Sequence, residues 1–177
     1  IASGPVRGAN ILFVEEAAAW GCEGGPELVE GAGHTVTRMS YLIALDDATI
    51  QTLNAADLVI FSRDASSGNY AATGEAAQWN GLTVPLLMAN SYMVRSSRWQ
   101  WLNTTTCPEV GAGAGMVIVG DHPIFNGVGS VGDQIPMVTN TTALTGATDA
   151  GNGEALATDT SGRLWIALWE NTDTPFY

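Results

Sequence analysis

The chain has 177 residues, of which 46% are hydrophobic and 14% charged, so it is long and apolar enough to fold as a packed globule and is not an intrinsically disordered chain. Its net charge is −12 with six arginines and no lysine. Such a surface repels phosphate backbones and excludes nucleic acid and anionic membranes as partners.

No run of about 18 apolar residues suggests membrane insertion. The opening IASGPVRGAN lacks the basic and apolar regions of a signal peptide, which is compatible with a processed start and equally with cytoplasmic residence. Richness in Ala, Gly, Thr and Asn suits an extracellular or cell-surface protein.

In chain order, residues 10–14 (NILFV) form an apolar run without alternation, as expected of a parallel strand covered on both faces. Residues 26–33 predict a short helix with proline in the first turn and glycine at its close. A second strand is expected at 33–39, a helix capped by aspartate at 46–56, a third strand at 57–61, a helix at 70–81 and a fourth strand at 84–89. A fifth strand is expected at 115–119.

This alternation predicts an α/β fold with a mostly parallel sheet covered by helices on both faces, in a single domain spanning 1–177. After residue 120 the sequence is turn-rich. Its last stretch, EALATDTSGRLWIALWE, predicts two strands turning at Thr160, Ser161 and Gly162, placed as antiparallel strands at one edge of the sheet.

In an open α/β sheet, ligands sit beyond the carboxyl ends of the strands. Glu15 and Glu16, the loop SRDASSGNY (62–70) and the segment from Asn90 to Arg95 are expected to meet there. The candidate ligand-binding groups are Glu15, Ser62, Arg63, Asp64, Ser67, Tyr70, Ser91, Arg95, Arg98 and Trp99.

As enzyme parts these are incomplete. Glu15 and Glu16 are neighbours whose side chains diverge on an extended backbone, and read best as solvated acids. Ser91 follows a strand but lacks the small flanking residues of a nucleophile elbow. His34 reads as a capping or surface residue, and His122 in GDHPIF as a residue oriented by its turn.

No metal-ligand spacing is visible, and GAGAG (111–115) precedes a strand instead of following one, so it reads as a connector and not as a phosphate loop. No cofactor is expected. Arg95 and Arg98 in RSSRWQW are expected to clamp loops against Asp64, Glu15 or Glu16. Trp99 and Trp101 either stack on a glycan or cover apolar surface. Cys22 and Cys107 are either one disulfide, if the chain is exported, or two buried thiols, and NTT at Asn103 and Asn140 matches the glycosylation acceptor pattern.

Taken in order, ILFVEE, GHTVTRM, AADLVIFSRDASSGNY, WNGLTVPLLMANSYMVRSSRWQWLN and DHPIFNGV resemble a class I glutamine-amidotransferase-like domain of the ThuA-like kind found in bacterial extracellular proteins. The resemblance implies a flavodoxin-like three-layer sandwich. It would put a nucleophilic cysteine near Asn90 or Ser91, where none stands, and the downstream His-x-Glu pair is also missing.

The expected function is therefore a non-catalytic module of a secreted or surface protein, acting by self-association or by binding another surface protein or a glycan. The alternative is a hydrolase or carbohydrate-active enzyme using Ser91 or Ser62 with His122, polarised by Asp64 or Glu16 and assisted by Arg95.

Overall fold

A computed structural model describes residues 8–16, 24–40, 44–63, 65–72, 74–138 and 143–170. The chain divides into two compact units, residues 1–93 and 94–177.

The first unit is a four-stranded parallel sheet with helical connections. Strand β1 (Asn10–Glu15) leads to helix α1 (Gly25–Gly31) and strand β2 (Thr35–Ser40). Helix α2 (Asp47–Asn54) precedes β3 (Leu58–Phe61), and helix α3 (Glu75–Asn80) precedes β4 (Leu86–Met88). The order is β2-β1-β3-β4, with every pairing parallel.

The first strand lies inside the sheet because Ile11, Leu12, Phe13 and Val14 are all buried; a run apolar on both faces is stable only between two neighbours and two covering layers. The second crossover returns past β1 to its other side. The carboxyl ends of β1 and β3 therefore flank the point where the order reverses.

The helices begin where local chemistry permits. Asp46 caps α2 by accepting a hydrogen bond from the Thr49 N–H at 2.8 Å. Pro26 occupies the first turn of α1, where its missing N–H costs nothing.

The helix expected over 70–81 is split. A 3-10 turn covers Ser67–Tyr70, and α3 starts only at Glu75 because Gly74 lies at φ 87°, a left-handed conformation through which a helix cannot run. Phe61, Tyr70 and Trp79 pack edge to face, with centroids 4.8 Å apart for Phe61–Tyr70 and 5.4 Å for Phe61–Trp79. Each such contact contributes about 0.5–1.5 kcal/mol beyond area burial.

In the second unit, β5 (Glu109–Val110) pairs with β8 (Ala143–Leu144). Strands β6 (Gly115–Ile118), β7 (Gln134–Pro136), β9 (Glu154–Thr158) and β10 (Leu164–Leu168) form an antiparallel sheet ordered β10-β9-β6-β7. Its core gathers Met116, Ile118, Phe125, Leu156 and Ala157.

The expectation that the fifth strand continues the parallel sheet, with the C-terminal strands at its edge, is corrected here. β6 has β7 on one side and β9 on the other, both antiparallel, which leaves it no edge for a parallel neighbour. The hairpin read around Gly162 is present as β9 and β10, with Gly162 at φ 79°. Among the described residues no helix is long and apolar enough to cross a membrane.

Candidate functional site

The rim at the carboxyl ends of β1, β3 and β4 is held by its own polar side chains. Glu15 and Glu16 diverge as their adjacency requires. Glu15 turns towards β2 and accepts from Arg38 Nη1 at 3.3 Å, while Arg38 also bonds Glu27. Glu16 turns towards the loop after β3, where its two oxygens accept from the Ser66 N–H and from Asn69 Nδ2, each at 3.0 Å.

Asn90, at the end of β4, reaches the same loop. Its buried amide donates to the carbonyls of Arg63 at 3.1 Å and Ala65 at 2.6 Å, and its oxygen accepts the Tyr92 N–H at 3.0 Å. Side chains from the ends of β1 and β4, the strands on either side of β3, thus fix the loop that follows β3.

Of the expected site residues in this unit, Ser62 is fully buried and its N–H donates to the Val14 carbonyl at 2.9 Å. Tyr70 is fully buried against Phe61. Ser67 and Ser91 are half-buried and Arg63 is exposed. Asp64 and Cys22 lie outside the described residues, as does Asn140.

The remaining candidates belong to the second unit. Arg95 Nη1 donates to the Thr105 carbonyl at 3.3 Å and Arg98 Nη1 to the Ser97 carbonyl at 2.8 Å. Within the first unit, Glu15 accepts from Arg38 and Glu16 from the loop after β3.

Trp99 is fully buried, its ring 6.2 Å from Trp101, which lies 5.4 Å from Trp169. Between the first two, Gln100 holds φ 65°, the one positive value at a non-glycine among the described residues. Burial leaves Trp99 no face for a glycan, whereas Trp101 and Trp169 remain half-buried. Cys107 is buried and Asn103 exposed.

Both histidines act as acceptors. His34 Nδ1 accepts from the Ala9 N–H at 3.1 Å, and His122 Nδ1 from the Ile124 N–H at 3.2 Å, where it caps the 3-10 turn Pro123–Phe125. An imidazole accepting at Nδ1 carries its proton on Nε2. In a Ser-His-Asp arrangement the polarity is the opposite: Nδ1–H donates to a carboxylate and Nε2 holds the free lone pair.

Sequence reasoning passed over two groups. Glu75 is 3% exposed at the start of α3; one oxygen accepts the Ala72 N–H at 3.2 Å and the other has no hydrogen bond. Burial pushes its carboxyl above the ordinary glutamate value, and the Ala72 bond only partly offsets that.

Asp159, in the β9–β10 turn, is buried and accepts from the Ser161 N–H at 2.8 Å, the Arg163 N–H at 2.9 Å and Arg163 Nε at 2.6 Å. Burial alone would raise this carboxyl; the Arg163 N–H and guanidinium with the Ser161 N–H outweigh it and hold the group below the ordinary aspartate value. The sequence signal for this hairpin lock is DTSGR itself, an aspartate two and four residues before the N–H groups it receives.

Among the described residues, no group of three or more His, Cys, Asp or Glu side chains is placed to hold a metal ion. No family model, curated protein or solved structure matches the chain.

Proposed function

We propose that the chain is a non-catalytic amidotransferase-like module of a secreted or surface protein, its first unit a ThuA-like, flavodoxin-like layered fold, which works by binding or self-assembly. The observation that carries this reading is the polarity of His122. Its Nδ1 lone pair is spent on the Ile124 N–H, so the ring lacks the carboxylate-oriented Nδ1–H that prepares a histidine to deprotonate serine.

The rim supports the same reading. Asn90 and Glu16 stand where chemistry would be sited, and their polar atoms are used to fix a loop. Ser62 is enclosed. The order β2-β1-β3-β4 agrees with a flavodoxin-like start to the sheet.

Support for assembly comes from the second unit. Val119, Ile124, Val128, Val131 and Met137 fall within one short stretch and are each between 44% and 56% exposed. Exposed apolar side chains that come together in a patch mark contact sites, and these five are the ones offered for such a patch.

Size-exclusion chromatography with light scattering tests the assembly arm: an oligomer whose population rises with concentration is expected, and a strict monomer at high concentration removes it. Hydrolysis assays with glutamine, p-nitrophenyl esters and p-nitrophenyl glycosides test the non-catalytic arm. Turnover abolished by both Ser91→Ala and His122→Ala would overturn it in favour of the serine hydrolase.

A further inference from the structure

A groove of about 410 Å³ lies in the second unit at the end of the antiparallel sheet where β6 begins and β9 turns into β10. Its floor is the small-residue segment 110–115, and its polar groups come from Glu109, Gln134, Asp159, Thr160 and Arg163. The volume falls within the range of small-molecule sites.

The floor is built for close approach. A Cβ placed on Gly111 would meet nothing within 4 Å, so the space above it is open, whereas one on Gly115 would lie 2.8 Å from the Ile135 carbonyl. The glycine at 115 thus serves strand packing, and the glycine at 111 leaves room.

The wall is preorganised. Asp159, 6% exposed, accepts Arg163 Nε at 2.6 Å and fixes the guanidinium in place. The terminal nitrogens of Arg163 make no hydrogen bond among the described residues, so their N–H groups remain as donors. Gln134 and Thr160 are exposed and both donate and accept, and the exposed carboxylate of Glu109 accepts.

Charge selects the ligand class. Asp159 already neutralises Arg163, Glu109 adds a negative charge and the whole chain carries −12, so an anion meets net repulsion. A molecule with many hydroxyls, each able to donate and accept, matches this mixture of donors and acceptors without bringing charge.

We propose that this groove binds a neutral, hydroxyl-rich small molecule of monosaccharide to disaccharide size. The site is separate from the rim in the first unit and does not depend on the reading given to that rim.

The test is a titration of the isotope-labelled intact chain, followed by amide NMR, with glucose, galactose, N-acetylglucosamine and maltose, and with succinate and inorganic phosphate as anionic comparators. At least one neutral sugar is expected to shift amides within 109–115 and 159–163. Gly111→Leu, which fills the open space, is expected to weaken that binding at least about tenfold (~1.4 kcal/mol) while the melting temperature stays unchanged.

Should G111L melt lower, Gln134→Ala at an exposed position carries the comparison with the same expected direction. The proposal is overturned if no neutral sugar shifts these amides, if succinate or phosphate binds in preference, or if G111L and Q134A bind as the unaltered chain does. Loss of this site leaves the hydrolysis and light-scattering results where they stand, so the two readings fail separately.

Discussion

Asn90 donates to two carbonyls of one loop, those of Arg63 and Ala65, and so fastens the end of β4 to the segment that follows β3. Asn90→Asp replaces this donor pair with a buried carboxylate facing two carbonyl oxygens. We expect a loss of about 2 kcal/mol or more at neutral pH, since both carbonyls lose their donor and face a buried charge whose remaining donor is the Tyr92 N–H. The loss should shrink in acid, where the carboxyl protonates and regains one donor. Urea unfolding at neutral and acidic pH checks this, and an unchanged midpoint at neutral pH would show that the loop holds without Asn90.

Glu75 sets a second pH dependence of the same origin, a carboxyl held in a buried place. Burial raises its folded-state value above that of the unfolded chain, so the folded state holds the proton more tightly. Its stabilising share is complete below the ordinary glutamate range and is lost as pH rises through the raised folded value. Glu75→Gln removes the buried charge. Thermal melts should place E75Q above the unaltered chain at neutral pH and bring the two together in acid; a lower melting temperature for E75Q at neutral pH would contradict the assignment.

Asp159 titrates in the other sense. Its folded value is depressed, so its contribution is complete above the ordinary aspartate value and disappears as pH falls through the lowered one. Asp159→Asn weakens the bond to Arg163 and exchanges a carboxylate acceptor for an amide. We expect a cost of about 1–3 kcal/mol at neutral pH. Hydrogen exchange should show the amides of Ser161 and Arg163 losing protection first, and unaltered protection there would assign the hairpin's stability to Gly162 and strand pairing alone.

The two glycines of the groove floor should respond differently to the same methyl group. Gly115→Ala drives a Cβ into the Ile135 carbonyl and should destabilise by about 1–3 kcal/mol. Gly111→Ala meets open space, and by restricting the unfolded chain it should be neutral or stabilise by up to about 1 kcal/mol. Equal melting temperatures for the two variants would contradict the close β6–β7 approach.

The elements of the first unit were legible because their signals are local. Four consecutive apolar residues at 11–14 leave no exposed face, and Asp46 stands where a helix start needs an acceptor. The parallel direction of the pairing followed from alternation, since a helix between strands permits it, whereas the order β2-β1-β3-β4 did not.

Membership of the second sheet was not legible. Gly115–Ile118 reads as an apolar strand in either sheet, and only the presence of β7 and β9 on its two sides decides between them. The expected rim was read in part. The positions of Glu16, Ser62 and Ser91 followed from their place after strands, but the use of Asn90 and Glu16 as fasteners rests on contacts 25 to 53 residues distant, which no local pattern encodes.

The arrangement β2-β1-β3-β4 is complete by Met88, and its inner strand β1 is made before the other three. As the ribosome extends the chain, β1 gains a neighbour on one side from β2 and on the other from β3, and β4 completes the ladder before any strand of the second sheet exists. Vectorial synthesis thus gives the first unit all the backbone partners of its sheet early, and shields its most apolar segment from strands made later.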